Sequence, residues 1–225
     1  NNALMMSIID KETAQSCGYA LPRAGKTIQG PSVHLARIIA QSWGNLRVES
    51  KVVDITDKQI ISQGICFDLE TNYAVKVEVR KSITDKYGKR FKDDMITVTG
   101  NAANAISYRN AVFSVIPKAI TDHIFKETKN VITGDLSDET ILIKRRDSAL
   151  KLFKDEYGAK EKQVLDMLGI NAVNAIKQDE IITLLGVVQA IKDGDTTAKI
   201  LFEEKPTVKE KKAKMKTTNN KSEMP

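Results

Sequence analysis

Residues 59–92, QIISQGICFDLETNYAVKVEVRKSITDKYGKRFK, decide the fold. Apolar and polar residues alternate in two segments with a period of two, which is typical of half-buried strands. The apolar positions are Ile61, Ile65, Phe67 and Leu69 in the first segment and Tyr73, Val75, Val77 and Val79 in the second. We expect a hairpin whose apolar face, made of these positions, is covered by another layer, with Lys76, Glu78 and Arg80 on the other face.

The second predicted strand leads into a basic loop. Between residues 76 and 92 seven basic residues stand against Glu78 and Asp85. Such a run is either a solvated face or a phosphate-binding surface that makes no choice of sequence.

Elements on both sides complete the predicted fold. Residues 46–55 form a third strand, Gly30-Pro31-Ser32 opens a helix, and Gly44-Asn45 ends it. Residues 1–18 read as one helix and 21–26 as a loop. A long helix begins near Val98 and continues, with a kink at Pro117, to residue 126. Its many polar residues imply that it is partly exposed or carries a site.

We therefore predict the α+β class, with a core of a helix, a three-strand antiparallel meander and a long helix over residues 1–134. Helical patterns at 141–157, 161–168 and 178–192 predict a small all-α C-terminal module over 135–204. Residues 205–225 read as a disordered Lys-rich tail. The tail has seven Lys and two Glu (+5), so residues 1–204 hold only +1 of the net charge of +6. A nucleic-acid interface in the body must then depend on local patches.

The sequence offers little for catalysis. It has no GxxxxGK[ST], GxSxG or CxxC motif and only two His, so we expect no catalytic or metal site and no cofactor beyond Mg²⁺ that accompanies DNA. The enzyme alternative is a Mg²⁺-dependent nuclease that uses Asp68, Glu70 and Glu78. It is disfavoured because the Glu-x-Lys slot of restriction-type nucleases reads Glu78-Val79-Arg80, and Arg lacks a tunable pKa.

The compartment is predicted from what the chain lacks. No run approaches the roughly 18 apolar residues of a membrane helix, so no membrane contact is expected. The start, NNALMMSIIDKE, does not resemble a secretory signal. Cys17 and Cys66 fit a reducing compartment better than a disulfide. These features predict a cytoplasmic location.

Three runs carry a resemblance: GPSVHLARIIAQSWGNLR (30–47), GICFDLETN (64–72) and DMITVTGNAANAISYRNAVFSVIP (94–117). Together they resemble the phage-encoded single-strand DNA annealing recombinases of the RecT/Red-beta class. Residues 150–202 are similar to a small helical module often appended to such recombinases.

The resemblance implies an ATP-independent protein of phage homologous recombination that anneals DNA strands in the host bacterial cytoplasm. Its core would self-assemble into rings or filaments. Single-stranded DNA would lie in a basic groove between the sheet with its loop and the long helix, held by its backbone. Apart from the resemblance, the sequence leaves two roles open for the C-terminal part: either the basic tail tethers DNA, or the helical module docks a host single-strand binding protein or a phage exonuclease.

The predicted nucleic-acid contacts are Arg37, Arg47, Arg80, Lys81, Lys86, Lys89, Arg90, Asn101, Asn104 and Arg109. Each of the charged ones could instead be a solvated charge or a salt-bridge partner. A third function also stays open, that of a virion structural or assembly protein with no DNA role.

Overall fold

The computed structural model describes residues 2–23, 26–85, 87–134 and 138–202 and confirms the α+β class. The helices are α1 (Asn2–Ser7), α2 (Lys11–Ser16), α3 (Val33–Trp43), α4 (Asp93–Val115), α5 (Lys118–Thr133), α6 (Glu139–Tyr157), α7 (Glu161–Leu168), α8 (Gln178–Lys192) and α9 (Ala198–Phe202). The strands are β1 (Gly18–Arg23), β2 (Lys26–Pro31), β3 (Leu46–Ile55), β4 (Gln59–Asp68) and β5 (Tyr73–Ser82).

The predicted meander is present, with strand order β3-β4-β5 and both pairings antiparallel. The chain turns from α3 to β3 at Gly44 and Asn45, whose φ values are 76° and 52°. It turns from β4 to β5 at Asn72, whose φ value is 58°. Glycine and asparagine adopt this left-handed region at least cost, which is why these turns were legible in the sequence.

The prediction of which β4 face is covered was wrong. Helix α4 packs on the face that carries Ile60, Ser62, Gly64 and Cys66, and these four residues are the buried ones of β4. A Cβ at Gly64 would lie 2.2 Å from the backbone oxygen of Ser107, so the small residues of β4 let the helix approach closely. Ile61, Ile65 and Phe67 lie on the opposite face.

Helix α4 begins at Asp93, five residues before the predicted start, and its two N-terminal aspartates suit the positive end of the helix dipole. It ends at Val115, and after Pro117 a separate helix, α5, runs from Lys118 to Thr133, so the prediction of one helix kinked at Pro117 and ending at residue 126 was wrong. Its polar residues are partly explained by the sheet. The hydroxyl of Ser62 donates to Asn104 Oδ1 at 2.6 Å and lies 2.9 Å from the hydroxyl of Ser107.

The N-terminal segment differs from the prediction. Residues 2–16 form two short helices instead of one. Of the predicted loop at 21–26, residues 21–23 and 26 are paired in the β1–β2 hairpin, and residues 24 and 25 lie outside the described residues. Helix α3 starts where expected, because the Ser32 hydroxyl accepts hydrogen bonds from the backbone N–H groups of His34 and Leu35.

The C-terminal helices α6, α7 and α8 occupy the predicted positions, and Gly158 and Gly169 end the first two in the left-handed conformation. Helix α8 packs on the β1–β2 hairpin. Ala20 belongs to their hydrophobic cluster, and a Cβ at Gly186 of α8 would lie 2.8 Å from the backbone nitrogen of Ala20. Helix α8 of the predicted C-terminal module is therefore in tight contact with β1.

Candidate nucleic-acid interface

The sheet face opposite α4 is open: its residues belong to none of the hydrophobic clusters of the described chain. We call it the open face. The pairing register shows which residues stand side by side across the three strands. From one end to the other the rows are Arg47–Phe67–Ala74, Glu49–Ile65–Lys76, Lys51–Gln63–Glu78 and Asp54–Ile61–Arg80. A central stripe of mostly apolar residues is thus flanked by charges on both outer strands.

Four cations and three carboxylates stand on the open face, so its formal charge is +1. Arg47 Nε lies 2.6 Å from Glu49, and Arg80 Nη2 lies 2.8 Å from Glu78. Both pairs are well exposed and are worth only about 0–1 kcal/mol each, so a phosphate can compete for these guanidinium groups. Within the described chain, Lys51 and Lys76 make no side-chain hydrogen bond or ion pair.

The basic loop lies at one end of this sheet and is anchored to the β3–β4 turn. The Ile83 N–H donates to the carbonyl of Lys58 at 2.9 Å, and Arg90 Nη1 donates to the carbonyl of Thr56 at 2.7 Å. Lys58, Lys89 and Arg90 are exposed there. The loop therefore places cations next to the Arg80 row of the open face.

Two predicted contacts point away from solvent. Arg109 Nη1 donates to Asp195 Oδ2 at 3.0 Å, with side chains only 10% and 3% exposed, and its guanidinium stacks on the Tyr19 ring at 4.4 Å. Lys81 Nζ donates to the carbonyl of Gly194 at 2.6 Å. Burial lowers the pKa of Lys81 and raises that of Asp195, with Arg109 opposing the rise for Asp195.

The groove that the resemblance implied between the sheet and the long helix is therefore filled. Helix α4 sits directly on β4, and the 193–195 loop covers Lys81 and Arg109. In this arrangement neither residue reaches DNA, because each is held by the C-terminal segment.

The other predicted residues are dispersed. Arg47, Arg80, Lys89 and Arg90 lie on or beside the open face and are exposed. Arg37 on α3 and Asn101 on α4 are exposed on the helical side of the sheet, and Asn104 is engaged by Ser62. Lys86 lies outside the described residues.

The carboxylates of the nuclease alternative do not converge. Asp68 accepts hydrogen bonds from the backbone of Glu70 and from the hydroxyl and backbone of Thr71, which lower its pKa. Its row partner on β5 is Tyr73, five residues from Glu78, a separation of about 16 Å along a strand. Glu78 is engaged by Arg80 on the open face. The described residues contain no cluster of three metal-ligating side chains.

Sequence reasoning missed the apolar stripe of the open face because it assigned Ile61, Ile65 and Phe67 to the core. The run of small residues at Ser62, Gly64 and Cys66 was the available signal, because only small side chains allow a helix to lie this close to a strand.

Among the described residues, no helix combines the length and apolarity needed to cross a bilayer. Comparison of the chain with protein-family models, with curated proteins and with solved structures finds no match.

Proposed function

We propose that the protein binds single-stranded DNA on the open face and promotes annealing of complementary strands without ATP. One observation carries the proposal: an uncovered sheet face has cations on both outer strands and an apolar central strand between them. The resemblance to annealing recombinases points to the same function.

The chemistry of the face suits a single strand better than a duplex. Exposed Arg and Lys side chains reach phosphates without reading bases. Phe67 offers one ring for stacking beside Ile65, and base–aromatic stacking tolerates any sequence. A surface that neutralises phosphates lowers the repulsion between two strands while their base edges stay free to pair.

Binding of single-stranded DNA by the open face is tested by the fluorescence anisotropy of a labelled oligothymidylate at low salt. A face variant carries Arg47→Gln, Lys51→Gln, Lys76→Gln and Arg80→Gln. Its control carries Lys118→Gln, Lys126→Gln, Lys144→Gln and Lys151→Gln, which remove four exposed charges from α5 and α6. The two variants have the same net charge, so a difference between them reports position.

We expect tight binding by the parent protein and the control, loss of most of the affinity in the face variant, and a shallower dependence of its affinity on salt. Equal affinity of the face and control variants would remove the open face from the site. Absence of binding by the parent protein at low salt would overturn the proposed function.

A second candidate is an assembly role without DNA, and one feature favours it. An apolar groove of about 640 Å³ lies between α1, α3 and α5, lined by Leu4, Trp43 and Ile120 among others. The same anisotropy experiment decides, because this candidate predicts no complex with the oligonucleotide.

A further inference from the structure

The two outer strands of the meander have free edges. β3 and β5 each pair only with β4 in the described chain, so each leaves a row of backbone groups on its outer side. No backbone–backbone hydrogen bond from another described element reaches residues 46–54 or 73–82. Both strands are ten residues long, and free edges of this length are templates for pairing with another chain.

Charges on the two edges are opposite at equal height. In the open-face rows Glu49 stands level with Lys76, and Lys51 stands level with Glu78. Within one protomer β4 separates these residues by two strand spacings, about 9.6 Å, so they are not in contact. The Asp54–Arg80 row also has opposite charges on the two outer strands, but it lies beyond the bulge between Val52 and Asp54.

The side chains of β3 and β5 on the face covered by α4 are also complementary. Val48, Ser50 and Val52 of β3 stand level with Val75, Val77 and Val79 of β5. These side chains are half-buried in the single chain. Placing one edge against the other would bring β-branched residues side by side, which favours sheet formation.

We propose that β5 of one protomer pairs with β3 of a second copy of this chain, extending the meander into a continuous sheet. Both strands run antiparallel to β4, so they join as a parallel pair. Each Lys76 then lies beside its partner's Glu49 and each Glu78 beside its partner's Lys51. Because the two edges differ, the contact is heterologous and repeats into a ring or a filament. The assembly joins the open faces side by side but needs no nucleic acid.

Two charge swaps that leave the net charge unchanged test the pairing. The β3 swap is Glu49→Lys with Lys51→Glu, and the β5 swap is Lys76→Glu with Glu78→Lys. Each swap alone places like charges beside each other in both rows, which is destabilising. Combining both swaps in one chain restores opposite charges, and so does an equimolar mixture of the two singly swapped chains. Circular dichroism and thermal melting verify that every variant is folded.

Sedimentation velocity without nucleic acid is the measurement. We expect the parent protein to assemble, each single swap to lose the assembled species, and both the combined chain and the mixture to regain it. A parent protein that stays monomeric at every concentration overturns the proposal. So does assembly of the single swaps at the parental level, or failure of the combined chain and the mixture to recover. Oligonucleotide binding is measured separately, so failure of the proposed function is distinguishable from failure of this pairing.

Discussion

Breaking the ion pair between Arg109 and Asp195 tests most sharply how the C-terminal segment is held. Both side chains are almost fully buried, and their contact spans 86 residues of sequence. Arg109→Met leaves the Asp195 carboxylate buried without its main counter-charge, which costs about 3–5 kcal/mol of unfolding free energy. With a urea m-value of about 2 kcal/mol/M, the unfolding midpoint falls by roughly 2 M.

The control is Lys118→Met, because Lys118 pairs with Asp122 in an exposed contact one helical turn away. Loss of that pair costs less than about 0.5 kcal/mol. The double variant Arg109→Met with Asp195→Leu removes both buried charges and regains most of the lost stability. Urea unfolding followed by circular dichroism gives all three values. If Arg109→Met costs no more than Lys118→Met, the 193–195 loop is not docked in solution, and Arg109 returns to the candidates for DNA contact.

Three further predictions follow from the packing. Gly64→Ala forces α4 away from the sheet and lowers the unfolding free energy by about 1–3 kcal/mol or more. The control Gln63→Ala on the open face changes it by no more than about 0.5 kcal/mol. Equal urea midpoints for the two variants would contradict the close approach of α4 to β4. Ser32→Ala removes the cap of α3 and costs about 1–2 kcal/mol in the same assay, and an unchanged midpoint would speak against the cap. The thiols of Cys17 and Cys66 are buried, and burial raises their pKa to about 12 and about 11. We therefore expect a disulfide reagent at neutral pH to react with them slowly until urea is added. Immediate reaction of the folded protein would show that the thiols are accessible.

Local signals made the meander, α3 and the C-terminal helices α6, α7 and α8 predictable. The period of two in 59–82, the Ser32 cap and the left-handed turns at Gly44, Asn45 and Asn72 each act within a few residues. Their effect does not depend on distant parts of the chain, so they can be read from the sequence alone.

Features that depend on distant contacts were not predictable. Alternation alone cannot tell which face of β4 is covered, because that choice depends on how closely α4 approaches Gly64. Residues 21–26 read as a loop because Pro22 disfavours a strand, yet residues 21–23 and 26 pair in the β1–β2 hairpin, against which α8 packs. The sequence likewise could not show that Lys81 and Arg109 are held by residues 194 and 195.

The role of the open face in annealing is measured by the rate at which complementary oligonucleotides pair in the absence of a nucleotide cofactor. We expect the parent protein and the four-lysine helix control to accelerate annealing at low salt. The four-cation face variant should leave the rate close to that of naked DNA while remaining folded. A face variant that anneals as fast as the parent, or a parent protein that leaves the rate unchanged, would contradict the account.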